Sequence, residues 1–467
     1  MDEGFEWGGG PYLSHWESVM WRADNDPRTR ATGSMFERLE TEPDWDRFVA
    51  AHERGTRLVP RLRERIVDPL VPVVTPAWSL DPHFDIEHQV YRVQVPPPGD
   101  EHALCDTVAS ILHRPLDRER PPWEVVLLTG LKGGKAAYMF RTHHVLGDGL
   151  ALVQVMDMLH SSQAAPGSRQ VPSYPERPTY TPASLLSTRL TRQAMNAPMS
   201  ALRSSRGANA SMMRSARRPL RSTKDSIDYI RSLQRKMSTE LPRSPLLAGA
   251  GGIGCRVAFA EFPQARMRAA GKVAGGSVND VYLAGMIGAL RRFHEHHGVR
   301  VEEIPVSIPI SLRKANDPLG GNSFTGATMR GPLFETDPVR RVQLIRERVK
   351  ECRAEPALAF VEHVAPMLDA LPVAAIVEVV GSSTSAVDVQ LTNIPGVGHQ
   401  AFIAGAKVTH ACPIGPRPAV AMMAGMMTYE GRACIAMNLD RDVFPDTDLL
   451  LECVREGFDE VLSLAKD

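Results

Sequence analysis

Four residues of the 467-residue chain have types and a spacing that could do chemistry: His143, His144, Asp148 and Gly149, within RTHHVLGDG. A chance HHxxxDG match in a chain of this length is on the order of one in a thousand. A neutral imidazole, with an ordinary pKa of about 6.5, is suited to take the proton of a weak nucleophile at neutral pH. Adjacent histidines are also packed into folds for structural reasons, and the four residues alone leave both readings open. Two other clusters carry less. The HEHHG run from His294 to Gly298 lacks HExxH metal spacing and fits a helix end, where a protonated imidazole favours the dipole. KGGK and LGGN read as glycine turns without phosphate-loop spacing.

The elements that must position the histidines are legible around them. WEVVLLTGL and KAAYMFRTHHV are β-rich runs joined by KGGK, which predicts a hairpin whose second strand ends over Arg141–Val145. Gly147–Gly149 then turn, and Leu150–His160 begin a helix. The pair thus stands at a strand end, where scaffolds present reactive groups. Upstream, Trp45–Ile66 has helical spacing and His88–Val95 alternates as a strand.

Residues 161–252 are rich in Pro, Ser, Ala and Arg and read as a partly helical crossover. Within them, Arg189–Lys236 holds twelve Lys/Arg against Asp225 and Asp228. That composition suits a solvated face or an arm for anionic lipid. With only Tyr229 available for stacking, nucleic acid is not the expected partner. Beyond residue 252, Ser277–Phe293 predicts a capped helix, Ile304–Leu312 a strand and Pro338–Arg353 a charged helix. VDVQLTNIPG, AFIAGAKVTHA and RACIAMNLD read as strands, and Asp446–Ala465 as a closing helix. The expectation is an α/β protein with mixed sheets, in two domains, 1–160 and 253–467, joined by the crossover 161–252.

Composition narrows the class. Lys+Arg and Asp+Glu balance at 54 each, so overall charge selects no partner. Six scattered cysteines without a CxxC pair suggest reduced thiols in the cytosol. MDEGFEWGGG is wrong for a signal peptide, and apolar runs such as AVAMMAGMM are too short to cross a bilayer. An integral membrane protein is not expected.

Further segments extend the pattern: PLDRERPPWE (Pro115–Glu124), Asn279-Asp280 in SVNDVYLAG, and VSIPISLRKANDPLGGN with Arg313, Gly321 and Asn322. TNIPG (Thr392–Gly396), YEGRACIAMNLDRDVFPD and YLSHWESVMW (Tyr12–Trp21) complete it. With HHxxxDG, the chain resembles the chloramphenicol acetyltransferase-like acyltransferases. More particularly it resembles the bacterial wax ester synthase/diacylglycerol acyltransferase family, collinearly over nearly its whole length.

The resemblance implies two chloramphenicol acetyltransferase-like domains with the site between them. It implies transfer of a long-chain acyl group from acyl-CoA to diacylglycerol or a long-chain alcohol, with no metal and no cofactor beyond acyl-CoA as substrate. It makes His144 the general base, without an acyl-enzyme, and His143 a supporting residue. Asp148 then holds its loop by pairing with an arginine, Arg313 first and Arg61 or Arg63 after it, while Gly149 allows a sharp turn beside the base. Thr392 is the expected oxyanion donor, with Asn393 as fallback; either could instead cap a turn. Asn279 and Asp280 either shape a channel or simply start a helix, and Trp123 reads as a packed aromatic. The family's Pro-Leu-Trp is Pro121-Pro122-Trp123 here, which puts alcohol selectivity in doubt. The expected setting is cytoplasmic, at a membrane or lipid-droplet surface. The alternatives are a same-fold enzyme for another hydroxylated compound and, more remotely, a non-catalytic lipid or nucleic-acid binder.

Overall fold

The computed structural model describes residues 7–71, 74–165, 173–174, 176–187, 242–313, 319–355 and 360–465. The basic run 189–236 and the first six residues lie outside the described residues. Two six-stranded mixed sheets carry the fold. The first has the order β11-β12-β1-β6-β5-β4, with β1 Thr32–Leu39, β4 Val90–Gln94, β5 Trp123–Thr129, β6 Ala136–His143, β11 Phe402–Ile403 and β12 Ala406–Ile414. The second has the order β7-β14-β13-β10-β8-β9, with β7 Cys255–Pro263, β8 Glu303–Ser311, β9 Phe324–Pro332, β10 Val389–Ile394, β13 Met422–Tyr429 and β14 Arg432–Asp440. β2 (Glu64–Val67) and β3 (Ala77–Leu80) form a separate ribbon.

β6 is buried along its whole length because both of its faces are covered. Tyr138 and Phe140 pack with Phe48 of α2 (Trp45–Leu58) and Val155 of α5 (Gly149–Leu159). Ala137 and Met139 alternate to the other face, against Val108 of α4 (Glu101–Leu112). The strand ends at His143 and α5 begins six residues later, capped by Asp148. In the second half, the Val278–His296 helix lies against the Thr447–Leu462 helix so closely that a Cβ on Gly457 would overlap the Ala289 backbone.

The two halves interlock twice. β12, from the second half of the chain, pairs antiparallel with β1, Ser34 opposite Ile414 and Glu37 opposite Ala411. Conversely, α1 (His15–Ala23) packs Val19 and Ala23 on Ile376 of the Val373–Thr384 helix. Arg22 Nη2 donates to the Leu371 carbonyl at 2.8 Å, and Ser18 Oγ donates to Asp369 at 2.5 Å.

Three local readings are corrected. The helix from Trp45 stops at Leu58, because Pro60 follows and opens a 3-10 turn that leads into β2. AFIAGAKVTHA is two strands, since Ala404 and Gly405 both take positive φ in a tight turn between β11 and β12. His294 is not a protonated dipole partner. It is buried, its Nδ1 donates to the Leu290 carbonyl at 2.7 Å, its Nε2 accepts the Ser244 hydroxyl at 2.6 Å, and burial holds its pKa down.

Candidate active site

His143 is held from every side. Its backbone N–H donates to the Pro122 carbonyl at 3.0 Å, and its Nδ1 accepts the Val145 N–H at 3.0 Å. An accepting Nδ1 leaves the proton of the neutral ring on Nε2, which faces Asp24 Oδ1 at 3.4 Å. Burial pushes the Asp24 carboxyl up, but His143, the Ala31 N–H at 2.8 Å and Arg30 together hold it below the ordinary carboxylate value. The Trp21 ring meets the imidazole edge-on at 5.3 Å, and Arg118 stacks over that indole at 3.7 Å. Asp68 accepts the indole N–H at 3.1 Å. YLSHWESVMW and PLDRERPPWE therefore meet around one buried histidine.

His144 is only half-buried, and its surroundings select a tautomer. Asn322 Nδ2 donates to the His144 carbonyl at 2.7 Å and to Glu17 Oε1 at 3.2 Å. With both amide hydrogens engaged, Oδ1 is left to face His144 Nδ1, at 3.5 Å. That oxygen can only accept, so Nδ1 carries the proton and Nε2 keeps a lone pair. The distance is long for a hydrogen bond. Glu17 belongs to the capping box of α1, where Ser14 and Glu17 bond each other's backbone N–H. Burial lowers the His144 pKa most; the contact with Asn322 works against it, His143 lowers it a little further, and Asp148 opposes that least. The ring is therefore neutral near pH 7, with Phe324 beside it at 5.5 Å between centroids.

Asp148 joins the halves. Its carboxylate accepts Arg313 Nη2 at 2.9 Å on both oxygens and Arg313 Nε at 3.2 Å. Oδ1 also takes the Ala151 N–H at 3.0 Å, capping α5, and Oδ2 the Ser323 N–H at 3.1 Å. Arg313 reaches the Gly320 and Gly321 carbonyls as well, and Gly147 bridges to Gly321. Arg61 instead pairs with Glu64 at 2.6 Å, and Arg63 with Glu53 at 2.9 Å. Gly149 has no positive φ, so a strained turn is not its reason. A Cβ there would overlap Ile394 Cδ1 and meet Cγ1 at 3.1 Å, so the glycine leaves room for the Ile394 side chain at the end of β10.

Thr392 lies two residues before Ile394 on β10, buried and on the same face of the strand, while Asn393 alternates to the other face. Asp280 closes a capping box with Ser277, at 2.7 Å to its N–H and 2.8 Å to its hydroxyl, and pairs with Arg346 at 3.8 Å. Those bonds start a helix; they do not join Asp280 to the His144 cluster. Asn279, half-buried beside it, stands in the first turn of the same helix. Trp123 stacks on Phe140 at 5.4 Å and donates its indole N–H to the Leu62 carbonyl at 2.7 Å. Glu17, Trp21, Asp24 and Arg118 were not singled out from sequence. Only the Ser-x-x-Glu spacing of Ser14 and Glu17 could have flagged one of them.

The chain is similar over nearly its whole length to known proteins. Residues 13–282 match the model of the wax ester synthase/diacylglycerol acyltransferase catalytic domain, and residues 320–461 that of the C-terminal domain. A Mycobacterium tuberculosis protein, whose name as a diacylglycerol O-acyltransferase is itself provisional, is 34% identical over 447 residues, 96% of this chain and 91% of the relative. The wax ester synthase/diacylglycerol acyltransferase of Marinobacter aquaeolei VT8 superposes with a TM-score of 0.64 at 18% identity, over 96% of this chain and 98% of that one. The first condensation domain of the CDA synthetase superposes at 0.60 and 15% identity, over 98% of each chain.

Proposed function

The chain belongs to the wax ester synthase/diacylglycerol acyltransferase family and is an acyltransferase, and from that premise we propose that it moves a long-chain acyl group from acyl-CoA to diacylglycerol, giving triacylglycerol, with long-chain alcohols as second acceptors. The observation that carries the reading is the committed amide of Asn322, which leaves the neutral, half-buried His144 with its lone pair on Nε2. That nitrogen takes the acceptor hydroxyl proton as the oxygen attacks the thioester carbonyl. The tetrahedral oxyanion collapses, the C–S bond breaks, and the departing thiolate recovers the proton from the imidazolium as CoA. No acyl-enzyme is needed; positioning of the two substrates supplies the rest.

Thr392 is the proposed oxyanion donor, with Asn393 as fallback, and the Asp148–Arg313 pair holds the loop that carries His144. The enzyme works in the cytoplasm at a membrane or lipid-droplet surface. No helix among the described residues is long and apolar enough to cross a membrane.

The test is CoA release from palmitoyl-CoA with diolein or hexadecanol as acceptor. Acceptor-dependent release is expected, reduced by about 10² or more in His144→Ala. Asn322→Ala should lower kcat by about tenfold with KM little changed, because it releases the ring without removing it. Equal release by His144→Ala would remove the base from that residue.

A further inference from the structure

Residues 7–12 precede the stretch matched to the catalytic domain, which begins at residue 13, and none of the steps of acyl transfer uses them. They are nonetheless tied down. Arg61 Nη2 donates to the carbonyls of Gly8, Gly9 and Gly10 at 2.9, 3.0 and 3.0 Å. The guanidinium is itself fixed, because Nη1 pairs with buried Glu64 at 2.6 Å and the group lies 4.7 Å from the centre of the Trp78 ring. The Trp78 N–H donates to the Pro11 carbonyl at 2.7 Å, and the Leu13 N–H to that of Pro76 at 3.0 Å.

This clamp delivers the Trp7 side chain, 1% exposed, to the joint between the halves. The Gly8 N–H donates to the Leu319 carbonyl at 3.1 Å, and the indole lies against Gly320. A Cβ on Gly320, whose φ is +80°, would fall 2.8 Å from indole Cδ2 and 2.9 Å from Cε2. At the far edge of the ring, Cη2 stands 3.6 Å from the place of a Cβ on Gly147. One indole thus touches a glycine three residues after His144 and a glycine two residues before Asn322. Its N–H is buried with no hydrogen-bond partner among the described residues, so the shape of the ring makes the contact.

Elsewhere, an aromatic against two bare glycines would be ordinary packing. Here the spacing it sets has a chemical consequence. Asn322 must reach the His144 carbonyl and face its Nδ1 at once, and the second contact, at 3.5 Å, is already at the limit for a hydrogen bond. Gln154 Oε1 accepts the Gly320 N–H at 3.0 Å, and Gly147 bridges to Gly321. A hydrogen-bonded bridge can still hinge; a rigid ring packed on both backbones removes that freedom.

We propose that Trp7 is a positioning residue, a wedge that fixes the Gly147 and Gly320 backbones relative to each other and so holds Asn322 in register with His144. Arg61, expected as a second choice of partner for Asp148, is the clamp that keeps the wedge in place. The inference rests on His144 being the base.

The test is kcat and KM for CoA release from palmitoyl-CoA with diolein, on full-length chains checked for cooperative unfolding in urea. The variants are Trp7→Phe, Trp7→Leu, Trp7→Ala, Asn322→Ala, Trp7→Ala/Asn322→Ala and His144→Ala. Trp7→Ala should lower kcat about tenfold, as Asn322→Ala does, with both KM values changed by less than about twofold. Trp7→Phe, which keeps a flat ring, should recover most of that loss, and Trp7→Leu much less. The double variant should lose about tenfold and not about a hundredfold, because the wedge acts through the amide. Four results overturn the proposal: wild-type kcat in Trp7→Ala, Trp7→Leu as active as Trp7→Phe, losses that multiply in the double variant, or a loss carried by KM. If Trp7→Ala does not fold, Trp7→Leu takes its place in the cycle; if neither folds, Trp7 serves the core rather than the site and the proposal falls. His144→Ala keeps the two readings apart. Full release by that variant removes the base and the wedge with it, whereas loss of release in it beside wild-type kcat in Trp7→Ala removes the wedge alone.

Discussion

Gly149→Ala offers a sharp test of why the motif ends in glycine. Alanine is the better helix former by about 1 kcal/mol, and the position has no positive φ, so backbone considerations alone predict a gain. Space predicts a loss. The added methyl overlaps Ile394 Cδ1 and lies 3.1 Å from Cγ1. Ordinary carbon contacts are about 3.5–4.0 Å, so Cδ1 must retreat by more than about 1 Å or the end of β10 must move with it. Overpacking of that kind costs about 1–3 kcal/mol, which outweighs the propensity gain. A shift of about 1 Å at Thr392 or His144 lowers turnover by about 10²-fold.

Ile394→Val removes the overlapping carbon and by itself costs about 1 kcal/mol. The double variant should therefore be more active than Gly149→Ala alone. CoA release and urea unfolding of wild type, both single variants and the double variant measure this. If Gly149→Ala keeps full activity, or if the double variant is no better than the single, the packing argument is wrong.

Other perturbations probe other parts. The acid limb of kcat/KM should have its midpoint below the ordinary histidine value of 6.5, since burial lowers the His144 pKa and keeps the base form present at lower pH; a midpoint above 6.5 contradicts this. Asp148→Asn and Arg313→Met should each destabilise by about 2–4 kcal/mol, with a coupling of about 1–3 kcal/mol in the double-mutant cycle; coupling near zero would make the pair ornamental. Burial pushes His52 down to about 4, so it stays neutral in the fold but charges in the unfolded chain below about 6.5. Stability should then fall as pH drops from 6.5 towards 4, by about 3 kcal/mol from this group, and unfolding curves of His52→Gln should lose that portion.

What the sequence made legible follows from how local each signal is. Ser277 capping its helix, with Asp280 three residues on to close the box, is a pattern a few residues long. That same locality explains why Asn279-Asp280 gave no sure channel role, because a capping box looks alike wherever the helix goes. Arg313 follows from the resemblance, which implies an arginine partner for Asp148; that a carboxylate can accept a guanidinium on two oxygens makes the pair geometrically sound. Asn322 stood in a noted motif, yet its task emerged only where Glu17 and the His144 carbonyl claim its two hydrogens. Trp21, Asp24 and Arg118 come to His143 from two other segments, and no spacing in one sequence encodes that meeting. The place of β12 was equally hidden. Alternation announces a strand but says nothing of its neighbour, and β12 found that neighbour in the other half of the chain.

That pairing sets a clock on synthesis. β6 ends at His143, whereas β12 ends at Ile414, about 270 residues later. At about 5–20 residues per second, the ribosome needs about 15–50 s to cross that interval. Throughout it, β1 can pair with β6 but not with β12, and its outer backbone edge stays open. An open edge is a template for the wrong strand. β1, the neighbour of the strand that carries His143, is thus made early but paired late, and the nascent first half keeps that edge open until the last quarter of the chain arrives.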